Sequence, residues 1–302
     1  RNPAHFCGVF GHKPTWGLLP PRGHGLGGLQ TPIDIAVIGP LARSADDLDT
    51  ALRLMAGPDA LEPPGLAAQL PTLDDDARRL RIAVWASDPT CPTSAAVRAR
   101  LQAVAQALAD AGATVDDSAR PDFSPAHSHQ TFSALLASAL SVGLSDDDFA
   151  ARVKAAEALA PDDRRSGAQQ LRWQTLRQRD WTRLNEARTR LRLAWHRFFG
   201  DWDFMLTPMM PTTAFAHDHR PERERSIDID GTPHPYYAQT FWAGLAGVAC
   251  LPATVVPAGV ADDGLPVGVQ IIGPAWGDRR TIGLAQRLEA MGWRFAPPPA
   301  LD

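Results

Sequence analysis

The chain has 302 residues, of which 44% are hydrophobic, and its formal net charge at pH 7 is −4. This length suffices to bury a large core, and the weak net charge argues against both disorder and bulk nucleic-acid binding. The three cysteines are widely spaced and form no C-x-x-C pair, which indicates neither a disulfide framework nor a zinc site and favours a reducing cytoplasm. No apolar run reaches the about 18 residues needed to cross a bilayer, so we expect no membrane partner.

The first half of the chain predicts alternating helices and strands. Residues 1–40, which are rich in Gly and Pro, predict loops with short strands. A helix is predicted to begin at Ser44, before two acidic residues, and to end at Gly57-Pro58. The next predicted elements are a strand, a helix and a strand, over 81–85, 94–111 and 113–115. This succession predicts an α/β layout with parallel strand pairing.

The middle of the chain predicts helices alone, over 130–143, 146–159 and 166–199. The C-terminal third predicts a strand over 204–206, a Pro-rich loop over 207–235, a helix over 235–247, strands over 254–256 and 267–272, and a last helix that Asp278 caps and that ends near Met291. No repeat or linker divides the chain. We therefore expect one domain, 1–302, with a helical insertion at about 126–200.

Four blocks spread along the chain carry a resemblance to a known family. They are RNPAHFCGVFGHKPTWG at 1–17, GPLARS at 39–44, DFMLTP at 203–208, and the paired segments PATVVPAG at 252–259 and GLPVGVQIIG at 264–273. In these blocks the chain resembles the amidase signature family of serine amidases. The resemblance implies an α/β fold, with a mixed central β-sheet flanked by helices, and an incomplete amidase signature domain whose N-terminal part is missing.

The same resemblance implies a chemistry and places its residues outside the chain. In the family, a nucleophilic Ser cleaves a carboxamide, a second Ser on a cis peptide relays the proton, and a neutral Lys acts as base. All three would precede Arg1, the nucleophile by two residues. Neither Lys13 nor Lys154 is expected to replace the base, so no catalytic residue is predicted in this chain, and these 302 residues alone are expected to be inactive. The resemblance implies a small-molecule amide as substrate and no cofactor.

A few residues of the chain are predicted to form the wall of that site. The resemblance suggests that the guanidinium of Arg1 braces the nucleophile loop. Three aromatic residues could line an acyl or amine pocket, although aromatic side chains more often belong to the core; they are Trp16, Phe215 and Trp242. Cys7 has no partner base in the sequence, and we expect it to be a buried packing residue.

Two further motifs favour ordinary interpretations over functional ones. Residues 23–28 (GHGLGG) satisfy G-x-G-x-x-G, but prolines precede the motif and no helix is predicted after it, so we expect a loop near the active site. The His127-x-His129 and His217-Asp-His219 pairs have conceivable metal spacing, yet no third ligand is identifiable. We therefore expect no metal site, and the second pair keeps a possible role at a substrate entrance.

A basic segment leaves two alternatives to a free-standing amidase open. Residues 171–197 contain eight Arg and two acidic residues, a pattern typical of a solvated helix face but also of a surface that binds an acidic partner such as RNA. A truncated, non-catalytic binding protein is therefore one alternative. The other is the A subunit of glutamyl-tRNA amidotransferase, which would be expected to carry Gln where this chain has Val37. Nucleic-acid binding is not favoured, and a homodimer is possible.

Overall fold

The computed structural model describes residues 1–24, 29–61, 68–73 and 80–298. The helices of the described residues are α1 (Asn2–Cys7), α2 (Ala45–Met55), α3 (Ala95–Asp110), α4 (Pro125–Leu140), α5 (Asp146–Glu157), α6 (Ser166–Gln174), α7 (Gln178–Asp201), α8 (Thr240–Val248) and α9 (Asp278–Ala290). The strands are β1 (Phe10–Lys13), β2 (Leu41–Ala42), β3 (Arg81–Val84), β4 (Thr114–Asp116), β5 (Phe204–Pro208), β6 (Ser226–Ile229), β7 (Thr232–Pro235), β8 (Ala253–Val260) and β9 (Pro266–Ile272).

A mixed β-sheet flanked by helices organises the chain, as predicted. Its strand order is β2-β1-β8-β9-β5-β3-β4. The pairs β5-β3 and β3-β4 are parallel, and the pairs from β2 to β5 are antiparallel. The predicted parallel strand-helix-strand unit is thus β3-α3-β4. Because β1 pairs with β8, strands from the N-terminal and C-terminal parts of the described chain are neighbours in one sheet.

Alternation along the strands divides the core between the two faces of the sheet. Ile82 and Leu206 pack into a cluster that also contains buried residues of α2, α3 and α9. Ala83 and Met205, the neighbours of those residues along β3 and β5, pack into a second cluster with residues of α4, α7 and α8. This period of two is what a strand buried on both faces requires.

Serine side chains start several of the predicted helices. Ser44 Oγ accepts a hydrogen bond from Asp47 N at the start of α2 (3.1 Å), and Ser94 and Ser145 cap α3 and α5 in the same way. These contacts satisfy N–H groups that have no partner within the helix. The predicted starts at Ser44 and Ser94 are confirmed.

The prediction of a single long helix over 166–199 is wrong, because the helical conformation is interrupted between α6 and α7. Thr175 ends α6, and its hydroxyl donates to Leu171 O (3.0 Å). Arg177 is extended, with φ −74° and ψ 151°, and α7 begins after it. The helical insertion predicted at about 126–200 corresponds in position to α4 through α7, and its status as an insertion stays a prediction.

The segment predicted as a Pro-rich loop contains a β-hairpin, β6-β7. Its turn is Asp230-Gly231, with φ of 52° and 81°, and Asp228 Oδ1 accepts from Gly231 N (2.9 Å). An Asp-Gly pair readily adopts the positive φ of a tight hairpin turn, while Ile227 and Ile229 are buried on one face. The segment before Gly17 also differs from the predicted loops and short strands, because it contains the helix α1. Cys7, at the end of this helix, is exposed and not buried as predicted.

Candidate functional site

Arg1, at the start of α1, is fixed by two parts of the chain that are distant in sequence. Its guanidinium donates to Gln270 Oε1 on β9 (2.5 Å) and to Ala243 O on α8 (3.2 Å). Burial lowers the pKa of this guanidinium to about 10, so it remains a cation at neutral pH. A buried cation needs such acceptors, and the two contacts define where α1 begins.

Gln270 connects Arg1 to the rest of the core. Its side chain is fully buried, and its Nε2 donates to Thr207 Oγ1 (2.9 Å) and to Trp242 O (3.0 Å). One amide group therefore joins α1, β5, α8 and β9. We call Arg1, Gln270, Thr207 and the carbonyls of Trp242 and Ala243 the Arg1 cluster. Because each of its side chains bonds another part of the chain, the protein itself sets its geometry.

A second buried network surrounds Asp278. Its carboxylate accepts from Thr15 N (2.7 Å), Thr15 Oγ1 (2.6 Å) and His12 Nε2 (3.2 Å). Burial raises the pKa of Asp278, but the hydrogen bonds from His12 and Thr15 outweigh it and hold that pKa below its usual value. Burial also lowers the pKa of His12, so the pair is a hydrogen bond between a neutral imidazole and a carboxylate. Asp278 is the first residue of α9, and the N-cap residue of that helix is Gly277, not Asp278 as predicted.

Lys13 is buried between these two networks. Its Nζ donates to Pro14 O (2.7 Å). Burial and then the charge of Arg1 lower its pKa to about 7, although Cys250 and Asp278 act in the opposite direction. Lys13 is therefore partly neutral at pH 7. Among the described residues, no Ser or Thr hydroxyl contacts its Nζ.

Gly39 shows why the GPLARS block needs its first residue. A Cβ at this position would lie 2.1 Å from His12 O and 2.7 Å from Pro14 Cδ. The next residue, Pro40, accepts a hydrogen bond from His12 N through its carbonyl (3.0 Å). Only glycine allows the two backbone segments to approach this closely.

Two cavities lie near these elements. One, of about 230 Å³, is lined by Arg1, His12 and Lys13 together with apolar residues that include Val37 and Phe132. The other, of about 310 Å³, lies between the loop that follows β5 and the two ends of the β6-β7 hairpin. Its lining residues are Phe215, Ala216, His217, Asp218, His219, Arg225 and Tyr236, and we call it the Arg225 cavity.

The three aromatic residues predicted to line a pocket are not brought together. Phe215 is 40% exposed and lines the Arg225 cavity. Trp16 is 39% exposed and lines neither cavity, and Trp242 is fully buried, with its ring edge-on to Trp85 and Phe241. Their role in substrate binding stays a prediction, and Phe215 is in the best position for it.

The remaining predicted motifs lie apart from the Arg1 cluster. Most of the G-x-G-x-x-G motif, residues 25–28, lies outside the described residues. His127 and His129 lie on α4, and His217 and His219 line the Arg225 cavity. Within the described chain, no group of three or more His, Cys, Asp or Glu could hold a metal ion. None of the helices in that part of the chain has both the length and the apolar character that crossing a bilayer requires.

Sequence reasoning missed the residues that hold the site together. Gln270 is a polar residue inside the apolar run 267–272, and this interruption was the available signal. His5 is fully buried: Gly268 N donates to its Nδ1 (3.0 Å), and its Nε2 donates to Thr212 O (3.0 Å). Nothing local marks His5, because its partners lie more than 200 residues away.

Comparison with known proteins gives a consistent result over this whole region. The family model described as Amidase matches residues 1–282. The A subunit of glutamyl-tRNA(Gln) amidotransferase from Synechococcus sp. (strain CC9605) is 29% identical over 99% of this chain and 62% of its own length. AtzE of Pseudomonas sp. (strain ADP), which is a 1-carboxybiuret hydrolase subunit, is 30% identical over 97% of this chain and 60% of its own length.

Solved structures share the fold. A bacterial aryl acylamidase of the amidase signature family superposes with a TM-score of 0.71 at 19% identity, over 97% of this chain and 60% of that one. The A subunit of glutamyl-tRNA(Gln) amidotransferase from Thermotoga maritima gives 0.70 at 20% identity, over 99% and 62%. The chain thus spans about three fifths of the length of the relatives it matches.

Proposed function

The chain belongs to the amidase family, and we propose that it supplies the C-terminal part of a hydrolase that cleaves a carboxamide C–N bond to a carboxylate and an amine or ammonia. The observation that carries the proposal is the way Arg1 is held. In the family the nucleophilic Ser lies two residues before the position of Arg1. A guanidinium fixed on Gln270 and Ala243 holds the backbone at that point, as a nucleophile loop requires.

The proposed chemistry is that of a serine amidase. The Ser oxygen attacks the amide carbon, its proton passes through the relay Ser to the neutral Lys, and the departing nitrogen takes up a proton as the C–N bond breaks. Water then hydrolyses the acyl-enzyme and restores the Ser hydroxyl. Donor groups beside the nucleophile stabilise the oxyanion.

We propose further that these three residues lie upstream of Arg1, so that residues 1–302 alone are inactive. Lys13 has the pKa of a usable base, but it makes its contact with Pro14 O and has no hydroxyl partner in the described residues. Lys154 lies on α5, a helix without buried residues. Loss of a nucleophile lowers turnover by roughly 10⁶, or about 8 kcal/mol of barrier.

One experiment tests both parts of the proposal. The coding frame upstream of Arg1 is sequenced, and the extended protein and residues 1–302 are assayed in parallel for ammonia or amine release from a panel of carboxamides. We expect a Gly-Gly-Ser-Ile type junction, an upstream Lys and activity in the extended protein only. A start codon without such residues, or turnover by residues 1–302 alone, contradicts the proposal.

The names of the relatives favour a second candidate, the A subunit of a glutamyl-tRNA amidotransferase. Val37, at the position where that subunit is expected to have Gln, is the reason we prefer a free-standing amidase. Val37 lines the cavity next to Arg1 and Lys13, so the difference lies beside the site. Amide hydrolysis without any partner protein or tRNA supports the free-standing enzyme, whereas strict dependence on charged tRNA supports the second candidate.

A further inference from the structure

The Arg225 cavity combines aromatic walls with one cation that has no carboxylate partner. Arg225 donates through Nε to Arg220 O (2.6 Å), and its guanidinium carbon lies 5.5 Å from the centre of the Tyr236 ring. No carboxylate of the described residues forms an ion pair with it. Its terminal N–H groups are suited to an acceptor supplied by a ligand.

The acidic residue in the cavity does not cancel this charge. Arg220 holds both oxygens of Asp218, with Nε–Oδ1 at 3.0 Å and NH2–Oδ2 at 2.6 Å. This pair is neutral overall, and Glu222, which accepts a hydrogen bond from the hydroxyl of Tyr237 and keeps its charge, does not line the cavity. The charge of Arg225 also helps to lower the pKa of Asp218, after the hydrogen bonds from Arg220. Arg225 is the cationic side chain in the lining of the cavity, and the rings of His217 and His219 add hydrogen-bonding groups at its wall.

The rest of the wall is aromatic. Phe215 and Tyr236 meet edge to face with ring centres 6.3 Å apart, and Phe6 meets the other side of Phe215 at 5.9 Å. In each of these contacts the edge of one ring meets a face of the other, and the guanidinium of Arg225 lies over the ring of Tyr236 as well. The surface that the wall offers to a planar group is therefore that of Phe215, which is 40% exposed. The volume, about 310 Å³, is at the lower end of small-molecule sites.

The helix α1 links this cavity to the Arg1 cluster. His5 Nε2 donates to Thr212 O, three residues before Phe215, and Phe6 contacts Phe215 directly. Arg1 lies at the other end of the same helix. A rise of about 1.5 Å per residue puts the two ends of this short helix roughly 9 Å apart. A substrate bound both in the cavity and at the position before Arg1 would have to span about this distance.

We infer that the Arg225 cavity binds the anionic end of the substrate, so that the amides taken by this enzyme carry a carboxylate, attached to or near a planar ring. The carboxylate pairs with Arg225, and the ring packs against the exposed surface of Phe215. This assignment of substrate class rests on the proposed amide hydrolysis. It also gives His217-Asp-His219 a place, at the entrance side of the binding site.

Binding to residues 1–302 tests the inference without any catalysis. Benzoate and benzamide, which have the same shape and differ in charge, are titrated by calorimetry in buffer containing EDTA. We expect benzoate to bind at least tenfold more tightly than benzamide, because only benzoate complements Arg225. Equal affinities, or no benzoate binding, overturn the inference.

Variants locate the site. Arg225→Gln is expected to weaken benzoate binding at least tenfold, and Phe215→Ala to weaken it several-fold. Arg192→Gln, an exposed Arg on α7, is the matched control and should bind as the parent does. In the unmodified chain, benzoate should also shift the ring resonances of His217 and His219. Unchanged binding in both the Arg225 and Phe215 variants overturns the proposal. Unshifted histidine resonances in the unmodified chain also overturn it, and this readout does not depend on the folding of either variant.

The outcome is separable from the proposed function. If benzoate does not bind but the extended protein hydrolyses neutral amides, the substrate class is wrong and the amidase stands. If benzoate binds through Arg225 but no amide is cleaved, the cavity is an anion site and the hydrolase proposal fails.

Discussion

The Arg1 cluster and the Arg225 cavity both centre on an arginine, but they satisfy it differently. Arg1 donates to a buried amide oxygen and a backbone carbonyl, and its main acceptor, Gln270, is fully buried. Arg225 has one backbone acceptor and one aromatic ring, and it faces an open cavity. The first arginine is complete within the protein, while the second lacks an anionic partner.

This difference separates groups that position the site from groups that meet a ligand. Buried polar networks with all partners supplied by the chain fix geometry, and breaking one costs the full desolvation of the groups left behind. A cation in an open cavity costs little when unpaired and gains when an anion arrives. Substitutions in the buried networks should therefore act on stability, and substitutions in the cavity on binding.

Asp278→Ala should produce the largest loss of stability. It leaves Thr15 N, Thr15 Oγ1 and His12 Nε2 buried without their acceptor. We expect the free energy of unfolding to fall by about 3–5 kcal/mol, measured by urea denaturation. Asp262→Ala, at an exposed position, is the control and should change it by less than about 0.5 kcal/mol. Equal effects would show that the Asp278 network is not structural.

Lys13→Met should remove a pH dependence. The pKa of Lys13 in the folded chain is about 7, below the ordinary value of 10.5. Between these values the unfolded chain holds a proton that the folded chain lacks, so stability should rise with pH, by up to about 1.4 kcal/mol per pH unit. The variant, which keeps the side-chain volume without the charge, should lose this rise between pH 7 and 10. A rise of the same size in the variant would rule out Lys13 as its source.

Gly39→Ala should cause a smaller but clear loss of stability. The new Cβ would fall 2.1 Å from His12 O, so the β1 segment or the segment before β2 must move. We expect a loss of about 2 kcal/mol, seen as a lower urea midpoint with an unchanged slope. Gly200→Ala on α7, where nothing lies within 4 Å of the added carbon, should be neutral or slightly stabilising.

The basic face of α7 should contribute least to stability. Arg183 and Arg190 pair with Asp180 and Glu186 at exposed positions. Replacing three other exposed arginines on that helix with Gln, at Arg179, Arg192 and Arg197, should change stability by less than about 0.5 kcal/mol. Filter binding with RNA should detect no salt-sensitive complex at physiological salt. A complex that the triple variant loses would instead support the non-catalytic binding protein.

The sequence predicts the elements that local chemistry determines. Ser44 and Ser94 begin helices because their hydroxyls bond N–H groups three residues ahead. The strand pattern at 81–85 and 204–206 places neighbouring side chains on opposite faces, and the parallel pairing follows from the helix between. The hairpin at Asp230-Gly231 was also readable, but its strands of four residues lie among prolines that obscure the alternation.

The site could not be read in the same way, because its contacts join residues far apart in the chain. Asp278 has the sequence signature of an N-cap, yet its carboxylate is used by His12 and Thr15. Gln270 stands out only as a polar residue in an apolar strand, and no local rule selects Arg1 as its partner. Trp242 illustrates the opposite case, since its size suggested a pocket wall and the packing of α8 makes it core.

The pairing of β1 with β8 also determines when the Arg1 cluster can form during synthesis of the chain. The two acceptors of Arg1 and the carboxylate that accepts from His12 lie at positions 243, 270 and 278. At about 5–20 residues per second, a ribosome needs on the order of ten seconds or more to travel from Arg1 to Asp278. Through that interval β1 can pair with β2 but not with β8, so we expect nascent chains to depend on chaperones until the last strands emerge.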